Sequence, residues 1–357
     1  MGGISNTKKN GRKAGASARR TVLLVLCAVV LIAAGLGLKA ALSGKPEVPA
    51  PAPSSPELPS PELSSPALPS PEPSSPEPSS PELPSPEPSS TTPPRAEWAP
   101  DSYEIHLLLK SDLVLGEDHL LTQEALDAFH VEKSYTLFTL SYFETPERDF
   151  YQEGWINRLR LKYEEDDENN FKLTYKKRYS VPGGDLAAAA ALAEKDGFDL
   201  ADKSWEKQIE WGFSGMTLSL STDAELPAGT VETVAELDPA EAFAMMKNSM
   251  PEKERNWKSE NWGLDAFASA KAVGPVSLNR YKGKLADRKV DVEVWAFTDM
   301  RDDSDHYLTE LSFEADDYED AAAGRELMIG ALQDLGILQE TDSLKTQKIL
   351  DAYLAGS

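Results

Sequence analysis

The distribution of proline separates the part of this chain that can fold from a part that cannot. Nineteen of the 26 prolines lie between Pro46 and Pro94, and from Pro56 to Pro86 a proline recurs at every fifth position. Each proline fixes φ and removes a backbone donor, and the residues between are mainly Ser and Glu. Such a segment has too little apolar surface to offset the entropy of ordering. We predict a disordered spacer over residues 43–98, with a polyproline II ligand for another protein as the alternative.

The longest apolar run precedes this spacer. Residues 21–42 contain one charge, Lys39, and as a helix they would extend about 33 Å at about 1.5 Å per residue, enough to cross a bilayer. Residues 1–20 hold six basic and no acidic residues, and short basic flanks remain in the cytoplasm. We predict a basic cytoplasmic tail at 1–20, one transmembrane helix at 21–42 and an extracytoplasmic C-terminal domain at the cell membrane. A cleaved signal peptide is the alternative.

Charge and cysteine content exclude several classes of function. Residues 96–357 hold 27 basic and 53 acidic residues, and this acidic balance disfavours duplex nucleic acid as a partner. The single cysteine, Cys27, lies in the apolar run. Disulfides, Cys-ligated zinc and Cys nucleophiles are therefore excluded from the folded part.

Short segments of alternating polarity dominate residues 99–357. Eight of them are predicted strands, with helices starting near Gln123, at Pro239 and at Tyr318. Strands with interspersed helices indicate the α+β class, built on an antiparallel sheet or barrel. The predicted strands are 102–109, 133–143, 154–163, 170–180, 215–221, 277–284, 288–297 and 307–315.

Three of these strands carry basic residues at every second position. Because successive side chains on a strand point to opposite faces, each strand presents a cationic face. The alternative interpretation is a charged face that is only exposed to solvent. Residues 96–357 hold about twice as many acidic as basic residues, so such a face would not be expected to be rich in basic residues. We predict an anion-binding face made of Arg158, Arg160, Lys162, Lys172, Lys176, Arg178, Arg280 and Lys282.

The order of these segments resembles the CYTH, or triphosphate tunnel, family over most of residues 102–350. The resembling stretches are Glu104-Ile-His106, which is similar to the family's opening E-x-E-x-K strand, YFETPERDFYQEGWINRLRLK (142–162), FKLTYK (171–176), VGPVSLNR (273–280) and YLTELSFE (307–314). The resemblance implies an eight-stranded antiparallel β-barrel, or tunnel, with peripheral helices. It further implies that basic residues hold a triphosphate-like anion and that carboxylates hold Mg²⁺ or Mn²⁺.

The resemblance also assigns candidate metal and catalytic residues. Glu104, His106, Glu310 and Glu314 are the candidate metal ligands, with His106 in place of a family glutamate. Leu108 replaces the family's first-strand lysine, and Lys110, further along the same predicted face, becomes the candidate catalytic residue. Residues 181–267 have no counterpart in the family pattern. We predict that this insertion covers a tunnel mouth or forms an appended subdomain.

Together these features predict a membrane-tethered, extracytoplasmic CYTH-like domain at 99–357. Its partner would be a phosphate-rich small molecule or polyphosphate, and it would have weak metal-dependent phosphohydrolase activity. The alternative is a non-catalytic interaction or structural module of the cell envelope on the same fold.

Overall fold

A computed structural model describes residues 98–131, 134–164, 169–342 and 345–355 of the protein. Apart from Trp98, the predicted tail, transmembrane helix and spacer lie outside the described residues. Within the described residues, no helix is both long enough and apolar enough to cross a membrane.

The described chain forms a closed β-barrel with helices packed on it. The strands are β1 (Ser102–Leu109), β2 (Thr136–Glu144), β3 (Trp155–Tyr163), β4 (Asn170–Ser180), β5 (Glu206–Trp211), β6 (Met216–Pro227), β7 (Lys271–Leu285), β8 (Arg288–Asp299) and β9 (Ser304–Ala315). The helices are α1 (Ser111–Val114), α2 (Gln123–Ala128), α3 (Asp149–Gln152), α4 (Leu186–Lys195), α5 (Pro239–Ser249), α6 (Glu252–Arg255), α7 (Trp262–Phe267), α8 (Tyr318–Asp334) and α9 (Lys345–Leu354).

The barrel differs from the expected one in strand number and direction. Over the described residues it has nine strands, in the order β1-β5-β6-β4-β3-β2-β7-β8-β9, so the prediction of eight strands is wrong. The extra strand is β5, which pairs parallel with β1, while the other neighbouring strands pair antiparallel. The segment 181–267, predicted as an insertion, supplies both β5 and β6 to the barrel wall. A parallel pair between strands so distant in sequence has no local sequence signal.

Three predicted helices begin where their capping residues place them. The Thr122 side chain accepts a hydrogen bond from the backbone N–H of Ala125 at the start of α2. Asp238 caps α5, which has Pro239 in its first turn, and Asp317 caps α8. These side chains satisfy backbone donors that the first helical turn leaves unpaired.

Alternate residues of the strands point outward into a core beneath the helices. Leu159, Leu161 and Leu173 are at most 1% exposed, as is Tyr175, whose hydroxyl donates a hydrogen bond to the Met246 carbonyl of α5. Because side chains alternate along a strand, the residues between them point into the barrel. The helices thus bury the apolar outer face, and the charged positions of these strands are left on the inner face.

One end of the barrel is covered by α9. Its Ile349 and Leu350 are at most 2% exposed and pack in one cluster with Trp295 and Leu308 of the barrel. Backbone contacts hold the helix in place, since the Met300 N–H donates to the Ala352 carbonyl at 2.9 Å. The interior of the barrel is therefore apolar where Ile349 and Leu350 of α9 cover it.

Candidate functional site

By strand register, all eight predicted anion-binding residues are on the face that turns into the barrel. The side chains of Lys162 and Lys282 are 48% and 77% exposed, so these two reach solvent. Arg158 and Arg160 of β3 stand opposite Thr174 and Lys172 of β4, and Arg280 of β7 stands opposite Glu293 of β8. Paired residues in adjacent strands share a face, so the basic faces of β3, β4 and β7 belong to one interior. The interior position of these residues agrees with the sequence pattern, whereas their role as anion ligands remains a prediction.

Carboxylates of the protein already neutralise most of these cations. Among the described residues, six of the eight form ion pairs with Asp or Glu. The pairs are Lys162 with Glu164, Lys172 with Asp223 (2.7 Å), Lys176 and Arg178 with Glu210 (2.6 and 2.8 Å), Arg280 with Glu293 (2.6 Å), and Lys282 with Asp291 (3.2 Å).

Arg158 and Arg160 are the two predicted residues that have no carboxylate partner within the described chain. Arg158 donates a hydrogen bond from Nη2 to Thr174 Oγ1 at 3.5 Å, and its buried Nε has no hydrogen-bond partner among the described residues. The Arg160 guanidinium lies 5.2 Å from the centre of the Phe138 ring, and the Arg280 guanidinium lies 5.0 Å from the same ring. Burial, followed by the positive charges of Arg158 and Arg280, lowers the pKa of Arg160 to about 10, although the charges of Glu293 and Asp223 oppose this shift. An anion here would relieve the repulsion among the three cations.

The candidate metal ligands lie on two paired strands, Glu104 and His106 on β1 and Glu310 and Glu314 on β9. His106 lies between two carboxylates, with Nε2 at 3.4 Å from Glu104 and Nδ1 at 3.3 Å from Glu310. Although burial lowers it, these carboxylates raise the pKa of His106 to about 9, so the ring is an imidazolium at neutral pH. Glu314 faces Glu104 across the β1–β9 pair, and burial together with Glu104 and Glu206 raises the pKa of Glu314.

These four residues do not fit a single divalent metal site as they are arranged. A protonated His106 has no free lone pair for a metal, and hard Mg²⁺ prefers oxygen ligands. Oε1 of Glu310 is occupied by the Lys345 ammonium, 2.7 Å away, whereas its buried Oε2 has no hydrogen-bond partner among the described residues. Of the His, Asp and Glu residues described, the group whose ligand atoms lie within 4.8 Å of one another is Asp299, Asp302 and His306. That group lies near the covered end, and Arg301 already holds Asp299.

Lys110 does not join the interior residues. Strand β1 ends at Leu109, and the Lys110 ammonium donates a hydrogen bond to the Gly336 carbonyl just beyond α8, at 2.8 Å. This contact stabilises the C-terminal end of a helix, where cations are favoured. Its predicted catalytic role is not supported by this position.

The sequence interpretation missed interior residues on β5 and α9. Glu210 accepts hydrogen bonds from Lys176 and Ser219, and Gln208 points to the same side of β5. Only the last four residues of EKQIEW (206–211) alternate between polar and apolar side chains, so the local signal for β5 is short. No comparable local signal exists for Lys345, because its side chain reaches the interior only when α9 covers the barrel.

Comparisons with known proteins give weak structural likenesses. No protein-family model and no curated protein matches the chain. A solved structure from Hippeastrum, described as an adenylyl cyclase candidate with a dominant triphosphatase activity, has a TM-score of 0.43 and 14% identity, covering 69% of this chain and 93% of that chain. An adenylate cyclase candidate of Bacillus halodurans has a TM-score of 0.37 and 14% identity over 70% of this chain and 97% of that chain. A Pyrococcus horikoshii protein has the same two values over 69% and 98%. At TM-scores below 0.5, these likenesses do not indicate a function for this chain.

Proposed function

We propose that this protein is a CYTH-like tunnel protein that binds a triphosphate or polyphosphate-type anion on the inner face of its barrel. The observation that carries the proposal is the position of Arg158 and Arg160, which lie inside the barrel beside Arg280 without a carboxylate partner among the described residues. Burying unpaired cations is costly unless a ligand of opposite charge compensates them. Guanidinium groups match phosphate oxygens in charge and in planar geometry.

Binding is proposed without an assigned hydrolytic step. Hydrolysis assisted by Mg²⁺ or Mn²⁺ at the predicted ligands would require His106 and Lys345 to release Glu310. Anion binding needs only the guanidinium groups that are already unpaired. The chain therefore retains groups that hold a phosphate but has filled part of the expected metal site with its own cations.

Arg160→Ala is expected to weaken tripolyphosphate binding by about 10- to 100-fold, since a charge-assisted hydrogen bond contributes about 1.5 to 3 kcal/mol. Isothermal titration calorimetry on the full-length chain in detergent would measure the effect, with long polyphosphate and ATP as further ligands. Lys195→Ala removes an exposed cation at the end of α4 and should leave affinity unchanged. Equal affinity in the parent and Arg160→Ala would contradict the proposed site.

A second candidate function is a non-catalytic interaction or structural module. It is favoured by the six interior cations that carboxylates already neutralise, because such pairs could simply fill the barrel. The two functions are separated by the same titration. A parent protein that binds none of the phosphate ligands would favour the module.

We also propose that residues 21–42 tether the domain to the cell membrane with residues 99–357 outside. The support is the length and low charge of the apolar run and the basic residues that precede it. Protease added to intact cells is expected to cut the proline-rich spacer and release the domain. Recovery of freely released protein from untreated cells would instead indicate a cleaved signal peptide.

A further inference from the structure

Lys345 brings a positive charge into the barrel from a helix that lies outside its wall. It is the first residue of α9, and its side chain is 19% exposed. Its ammonium lies 2.7 Å from Glu310 Oε1, 3.9 Å from Glu293 Oε2 and 4.2 Å from the centre of the Trp295 ring. One ammonium therefore contacts carboxylates on two adjacent strands, β8 and β9.

The two carboxylates have few other means of charge compensation. The Glu310 side chain is 1% exposed and that of Glu293 is 7% exposed. Besides Lys345, Glu310 has His106 nearby, and Glu293 has Arg280 at 2.6 Å and the Trp295 indole N–H at 3.0 Å. Buried carboxylates require paired charge, and here the protein supplies it.

A divalent cation would compete with this ammonium for the same oxygen atoms. With Lys345 at 2.7 Å from Glu310, a metal bound there would face a positive charge at close range. Glu293 also pairs with Arg280 at 2.6 Å, and its charge acts on Arg160, where it opposes the fall in the pKa of that guanidinium. The carboxylates that Lys345 contacts therefore adjoin the proposed anion site.

We propose that Lys345 takes the place of a divalent cation in the tunnel, so that the protein binds its phosphate-type anion without added metal. The inference rests on the anion-binding function proposed above and concerns what neutralises the carboxylates beside the anion. Among the described residues, loss of the ammonium would leave Glu310 with His106 as its one cationic neighbour and Glu293 with Arg280. The tunnel would then hold one positive charge fewer to attract an anion, and Glu310 Oε1 would be free for Mg²⁺.

The test is a titration of the full-length chain in detergent with tripolyphosphate, in EDTA and in Mg²⁺. The parent is expected to bind in EDTA. Lys345→Met, which keeps the length of the side chain, should bind at least about tenfold more weakly in EDTA and recover in Mg²⁺. Lys345→Arg should behave as the parent. Mg²⁺ also forms a complex with tripolyphosphate in solution, and the change in affinity that Mg²⁺ causes in Lys195→Ala measures this effect alone. In a separate experiment without the anion, electron paramagnetic resonance should show more bound Mn²⁺ in Lys345→Met than in the parent.

The outcomes separate this inference from the function on which it rests. Parent protein that binds tripolyphosphate only with Mg²⁺ would overturn the role of Lys345 and leave anion binding intact. The same holds if a folded Lys345→Met binds as tightly as the parent in EDTA. Absence of binding to the parent under both conditions would overturn both. If Lys345→Met does not fold, binding of the parent and of Lys345→Arg in EDTA decides the question.

Discussion

Ending the chain after Asp342 is expected to lower the free energy of unfolding by about 5 kcal/mol or more. The deletion removes α9, whose Ile349, Leu350 and Leu354 are at most 7% exposed and each contribute about 1.5 to 3 kcal/mol of burial. It also leaves Glu310 without Lys345, and breaking a buried pair from one side costs about 3 to 5 kcal/mol. Urea unfolding followed by tryptophan fluorescence would measure the change, because the midpoint and slope of the transition give the free energy of unfolding.

The matched control is a chain that lacks only Gly356 and Ser357. It keeps every described residue of α9 and should unfold within about 0.5 kcal/mol of the parent. An unchanged midpoint in the longer deletion would show that α9 does not contribute to the stability of the barrel. In that case the contacts of Lys345 would also lose their energetic importance.

Glu210→Gln is expected to tighten tripolyphosphate binding by about tenfold, because it releases two interior cations from a carboxylate. Glu210 pairs with Lys176 at 2.6 Å and Arg178 at 2.8 Å. Although burial opposes ionisation, Arg178 and Lys176 hold the pKa of Glu210 well below its usual range, so this carboxylate is charged at neutral pH. Glutamine keeps the shape of the side chain and removes the charge.

The same substitution is expected to lower stability, by roughly 1 to 3 kcal/mol, because Lys176 and Arg178 are only partly exposed and lose their partner. Calorimetric titration and urea unfolding would measure the two opposed effects on one protein. Glu153→Gln is the matched control, since Glu153 pairs with Lys258 at 2.7 Å among the helices outside the barrel. Unchanged or weaker binding in Glu210→Gln would indicate that Lys176 and Arg178 do not contribute to the anion site.

Local patterns in the sequence were sufficient to predict the strands and their two faces. The eight predicted strands are all present, with altered ends, because alternation of apolar and charged residues is a property of each strand alone. Thr122, Asp238 and Asp317 fixed three helix starts through hydrogen bonds to residues within one turn. The same alternation predicted that Arg158 and Arg160 lie on one face of β3 and that Leu159 and Leu161 lie on the other.

The ninth strand was not predicted because its place depends on a distant partner. Strand β5 is six residues long and lies between α4 and β6. It becomes part of the wall by pairing with β1, more than 90 residues away, and with β6. Such pairing is set by closure of the whole barrel and by its shear, which no single segment specifies.

The sequence by itself determined which strands carry charge and on which face. Tertiary structure decided which of those charges remain available to a ligand. Glu210 reaches Lys176 across β6, and Lys345 reaches Glu310 only because α9 folds back over the barrel. Within the described residues, Arg158 and Arg160 are left without a carboxylate. The physical reason is that charge pairing depends on distance in space, whereas alternation along a strand depends only on the local geometry of the backbone.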